Sequence, residues 1–144
     1  MKFAAKLMVL GAIMAGGIAF AEGANDPEVK ARQELMDSFG GAMKTLGDMA
    51  GGKVAYDAAA AEAAKKALVD GAAGIEAAFK NNATDPAGKA KPEVWTAWDD
   101  FVAKAGDLGT AAGALDVSST ETVGAGMGAI GGACKACHTA YKAS

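Results

Sequence analysis

The sequence predicts an all-α protein built as a helical bundle, and three observations carry that reading. Alanine dominates the composition while β-branched residues are sparse, a balance that favours helix over strand. Apolar residues recur in steps of three and four rather than in alternation. Four such stripes follow one another, each bounded by capping residues, glycine or proline.

Ahead of the first stripe, residues 1–21 read as a secretory signal peptide. Lys2 and Lys6 precede an apolar run from Leu7 to Phe20, and Ala19-Phe20-Ala21 offers a small-residue cleavage site. The run is interrupted by Gly11, Gly16 and Gly17 and is shorter than the ~20 residues of a membrane-spanning helix. Cleavage after Ala21 leaves residues 22–144 as one exported, soluble, periplasmic domain with no membrane insertion. With Lys2 and Lys6 removed, 12 basic residues face 17 acidic ones, a net charge of −5. No basic block is interleaved with aromatic residues, so nucleic acid is not an expected partner.

The first helix is expected to start at Asp26-Pro27, a side-chain cap followed by proline at the first helical position. Its stripe reads Val29, Arg32, Met36, Phe39, Met43, Leu46, Ala50, and Gly51-Gly52 ends it. Asp57 caps a second helix whose stripe is lined by small residues: Ala61, Ala64, Leu68, Gly71, Ile75, Ala78, with Phe79 at its end. Residues 80–91, with Asn81-Asn82, Asp85-Pro86 and Gly88, form the one long connection. Pro92 opens a third helix that runs through Val94, Trp98, Phe101, Ala105, Leu108, Ala112 and Leu115 and stops before Asp116. Ser118-Ser119-Thr120-Glu121 reads as a capping box for the last helix, with the stripe Val123, Met127, Ile130, Cys134, Cys137, Tyr141.

That last stripe holds both cysteines, and the only histidine follows directly: Cys134-Lys135-Ala136-Cys137-His138. This is the attachment signature of c-type haem. On a helix the two thiols project from one face about a turn apart, placed to add to the two vinyl groups of one porphyrin. His138 then offers an imidazole nitrogen to the iron. A thioredoxin-like redox pair would need a neighbouring βαβ pattern and a helix N-terminus, and a structural zinc site would need a fourth Cys or His ligand. Because the stripe is the core face, the haem is expected inside the bundle. Gly124, Gly126, Gly128, Gly131 and Gly132, each costing about 1 kcal/mol of helix propensity against alanine, read together as room for the flat macrocycle. Arg32, a cation in an apolar stripe, is either a rim residue whose stem packs and whose head reaches water, or a partner for the haem propionates with Gln33 beside it.

Three segments in order, Arg32-Gln33-Glu34-Leu35-Met36, Lys91-Pro92-Glu93-Val94-Trp95 and Cys134 to Lys142, give residues 22–144 a resemblance to cytochrome c′, the four-helix-bundle class of c-type cytochromes. The resemblance implies an antiparallel up-down-up-down bundle, a homodimer packed through its first two helices, and one covalently attached haem c in the core. Cys134 and Cys137 match the thioether cysteines and His138 the proximal ligand. Arg32 and Gln33 match positions near the propionate edge, and Lys142 a proximal basic position that is often arginine. Met36 matches the position facing the distal side of the haem.

Met36 leaves two functions open. If it only covers the iron, a five-coordinate haem binds nitric oxide or carbon monoxide and passes single electrons to redox partner proteins. If its thioether ligates, the protein is a six-coordinate, low-spin electron carrier closed to small ligands. Two alternatives remain, a thiol-disulfide oxidoreductase using Cys134 and Cys137 and a purely structural exported bundle. No enzyme activity is expected, since the sole histidine is committed and no carboxylate pair lies on the core stripes.

Overall fold

A computed structural model describes residues 23–144; the expected signal peptide and Glu22 lie outside the described residues. Five helices follow in order: α1 Pro27–Ala50, α2 Ala58–Phe79, α3 Glu93–Thr96, α4 Trp98–Gly113 and α5 Thr120–Tyr141. Helix α1 packs on α2 and α5, and α4 packs on the same two, so the four long helices enclose one core as an antiparallel bundle. Among the described residues there is no strand, only an isolated bridge between Ala90 and Lys142. No described helix is long and apolar enough to cross a membrane.

The caps form where side-chain chemistry places them. Asp26 accepts from the amides of Glu28 and Val29, with Pro27 at the first helical position, and Asp57 accepts from the amide of Ala60. Gly52 leaves α1 with φ of 68°, a left-handed turn that a side chain would strain. The box at α5 sits one residue later than expected. Ser119, not Ser118, is the cap, and Thr122 takes the place foreseen for Glu121. The cause is Asp116, whose carboxylate captures the Ser118 amide at 2.9 Å and carries the turn one residue further.

The third expected helix is two. Ala97, at φ −124° and ψ 46°, separates α3 from α4. The bend allows Val94 and Phe101 both to enter the core while Trp95 and Trp98 lie half-buried in an outer groove beside Ala77 and Lys80. The Trp95 indole N–H donates to the Phe79 carbonyl at 2.8 Å, tying α3 to the end of α2.

Half or more of each stripe is buried, with local rotations; in α5 Val123, Ile130 and Tyr141 are buried and Met127, Cys134 and Cys137 half-buried. In α1, Ala42 and Met49 are buried, whereas Met36, Met43 and Ala50 are half-buried. In α2, Ala72 and Phe79 replace Gly71 and Ala78 as buried positions. Gly71 instead allows close approach of α1: a Cβ there would stand 2.4 Å from the Phe39 ring.

Candidate haem-binding site

Arg32, Gln33, Met36, Cys134, Cys137 and His138 line one cavity of about 390 Å³ between α1 and α5, so the six residues singled out in the sequence converge although about a hundred positions separate the two groups. The volume falls in the range of small-molecule sites, roughly 300–1,000 Å³. Phe39, Ile75, Phe79, Phe101 and Leu108 complete apolar walls. Helix α5 supplies the thiols and imidazole, and α1 brings the Met36 thioether to the same space.

The electrostatics suit attachment and ligation rather than thiol exchange. Burial pushes the thiols of Cys134 and Cys137 above their ordinary range, and both sit in the last turns of α5, far from that helix's own N-terminus. A redox-active pair requires the opposite shift. Burial, reinforced by Lys142, lowers the His138 pKa, so the imidazole is neutral at neutral pH with a lone pair to donate. Among the described residues no group of three His, Cys, Asp or Glu side chains could hold a bare metal ion, which leaves the zinc alternative without ligands. Two thiols and an imidazole on one apolar wall, with a soft thioether available from α1, are a donor set that fits haem c.

Arg32 and Gln33 line the cavity, but their polar ends are engaged elsewhere. Arg32, 4% exposed, donates from Nε to Ala78 O at 2.9 Å, from Nη1 to Ala83 O at 3.0 Å and from Nη2 to Asn81 O at 2.6 Å. Its guanidinium lies over the rings of Phe79 and Trp95, at 5.0 and 5.3 Å, and faces Glu28 at 3.7 Å. Burial lowers its pKa while Glu28 and Asp26 raise it. The Gln33 amide donates to Ala87 O at 3.0 Å.

The glycine expectation is corrected. None of Gly124, Gly126, Gly128, Gly131 and Gly132 lines the cavity. Gly124, Gly128 and Gly132 face outward, and at Gly126 a Cβ would stand 2.3 Å from Leu115 Cδ1, so that glycine admits the α4–α5 turn rather than a macrocycle.

Sequence reading missed Lys104. It lies four residues after Asp100 and looks like half of a solvated helical pair, and the pair exists at 3.4 Å, yet the lysine side chain also lines the cavity. It missed the phenol of Tyr141 too. This buried ring packs edge-on against Phe101 at 5.3 Å and donates its hydroxyl to Asp100, which pushes the phenol up to about 12 and holds the Asp100 carboxyl below its ordinary range.

The bundle and this site define a four-helix haem protein of the c type. The family described as Cytochrome C' matches residues 27–142, and the chain belongs to it. Cytochrome c-556 of Agrobacterium fabrum (strain C58) is 33% identical over 139 residues, covering 94% of this chain and 90% of the relative. Among solved structures, cytochrome c′ from Rhodobacter Spheriodes superposes with a TM-score of 0.72 at 30% identity, over 81% of this chain and 95% of the other. A nitric oxide complex of a cytochrome c prime mutant from Alcaligenes xylosoxidans superposes with a TM-score of 0.71 at 29% identity, over 81% and 94%. Haem c is therefore the cofactor of this chain.

Proposed function

We propose that this is a periplasmic monohaem cytochrome with a five-coordinate iron, exported by cleavage after Ala21, that carries single electrons and binds nitric oxide or carbon monoxide, and that catalyses no reaction of its own. The observation that carries the reading is the one cavity with Cys134, Cys137 and His138 on one helix and apolar walls on the others. Cys134 and Cys137 hold the porphyrin through thioethers, and His138 is the proximal ligand. The apolar side chains of the walls suit a small uncharged ligand. When bound, haem supplies one-electron chemistry and an open coordination position. The similarity to a protein solved as a nitric oxide complex supports gas binding. Family resemblance supports a homodimer packed through α1 and α2, which sedimentation of the purified protein tests.

A second reading is favoured by one observation: Met36 is half-buried and lines the cavity from α1. Ligation by its thioether would make the iron six-coordinate and close it to gases. Ferric and ferrous spectra with and without carbon monoxide decide. Five-coordination predicts broad high-spin ferrous bands and uptake of carbon monoxide. Sharp low-spin bands with no uptake, reverting to uptake in Met36→Ala, establish the second reading instead.

A further inference from the structure

The sequence offered Arg32 and Gln33 as partners for the propionates, but the hydrogen bonds assign them another task. Helix α2 has no basic residue in its last turn and ends at the exposed C-cap Lys80, so its terminal carbonyls are open to a cationic donor from another element. Arg32 reaches over from α1 and supplies it, bonding Ala78 O at the helix end and then Asn81 O and Ala83 O in the connection beyond. Gln33 takes the next carbonyl along, Ala87 O. Three of the five guanidinium N–H groups are thus donated to main-chain oxygens, and Nη2 lies 3.7 Å from the Glu28 carboxylate. Swinging the guanidinium out to a carboxylate elsewhere would strand those carbonyls and break the stack on Phe79 and Trp95.

The far end of the same connection is fastened to the end of α5. The Lys91 amide donates to Tyr141 O at 2.9 Å and the Ala143 amide to Lys89 O at 2.8 Å, which forms the Ala90–Lys142 bridge. Lys91 Nζ caps the last turn of α5 by donating to Ala140 O at 3.0 Å and Thr139 O at 3.4 Å. In that turn the Lys142 amide bonds His138 O at 3.0 Å. Lys89 and Ala90 line the cavity themselves.

We infer that residues 80–91 are a strap along the cavity rim, held by Arg32 and Gln33 on the α1 side and by Lys91 on the α5 side, and that Arg32 and Gln33 are positioning residues for His138. One turn after Arg32 comes Met36, so the strap links the turn preceding the distal residue to the turn following the proximal one. The linkage is mechanical and consists of protein hydrogen bonds alone. It holds for either coordination state of the iron.

Amide hydrogen exchange on the apo and haem-loaded proteins tests it, together with the midpoint potential of the loaded form. In Gln33→Ala, exchange at the Lys91, Lys142 and Ala143 amides accelerates about three- to tenfold, as expected for losing one anchoring hydrogen bond of a cooperative unit. Lys91→Met accelerates Ala143 and Lys142 in the same way from the opposite side. Arg32→Lys and Arg32→Gln shift the potential alike, because an ammonium keeps the charge but cannot span three carbonyls. If exchange stays at wild-type rates in Gln33→Ala and Lys91→Met, the strap is overturned. It is equally overturned if Arg32→Lys preserves the potential while Arg32→Gln shifts it, the mark of a charge partner at the haem edge. Exchange in the apo protein is read without any haem, so failure to load the cofactor is a separate result. Should the Arg32 variants fail to fold, Gln33→Ala and Lys91→Met carry the test.

Discussion

Single glycines in this protein do opposite things. Gly128 is exposed on α5 with open space where a Cβ would stand, and Gly126 on the same helix meets Leu115 Cδ1 at 2.3 Å. Gly128→Ala should therefore stabilise the fold by about 0.5–1 kcal/mol, through helix propensity and a less free unfolded chain. Gly126→Ala should gain less or lose, since Leu115 must move. Urea midpoints of the two variants check this contrast. Core leucines set the other extreme: Leu68 is fully buried, and Leu68→Ala should cost about 2–5 kcal/mol by the same measurement. The sequence shows all these glycines equally, because propensity is local. Which of them touches a neighbour is decided by a residue of another element.

At the scale of elements, carboxylates hold the connections in place. Asp85 accepts from the amides of Asp26, Ala87 and Asn25, and these bonds hold its carboxyl below the ordinary range, burial opposing them. A depressed folded-state pKa contributes stability that is present above the unfolded value, about 4, and is lost as pH falls through the folded one. Asp85→Asn should accordingly lower Tm near neutral pH, with the gap closing as the medium is acidified below about pH 4. Tyr141→Phe removes the main cause of the lowered Asp100 pKa, so its effect on Tm should show the same pH dependence. Thermal scans across that range check both. The caps at Asp26 and Asp57 and the α1 stop at Gly51-Gly52 were legible from residue types, because those interactions span two to four positions. The Ala97 break and the one-residue shift of the α5 cap were not. The first follows from burying Val94 and Phe101 against other helices, and the second from competition by Asp116.

For the molecule as a whole, the export and attachment readings make two mass predictions. The protein matured in a host that attaches haem should begin at Glu22 and gain the mass of one haem, and a Cys134→Ala, Cys137→Ala variant should begin at the same residue and gain none. Intact-protein mass spectrometry reads both. What the sequence by itself determined is whatever rests on short spacing or on periodicity: the all-α class, the four core stripes, and the thiols and imidazole of Cys134, Cys137 and His138 packed into five residues. What only the tertiary structure decided is how distant segments divide their hydrogen bonds. A cation in an apolar stripe looks the same in sequence whether it meets a ligand or a chain end. Arg32 turns out to clasp the carbonyls of Ala78, Asn81 and Ala83 because α2 ends beside it, and the carbonyls of a helix end must be bonded from outside the helix.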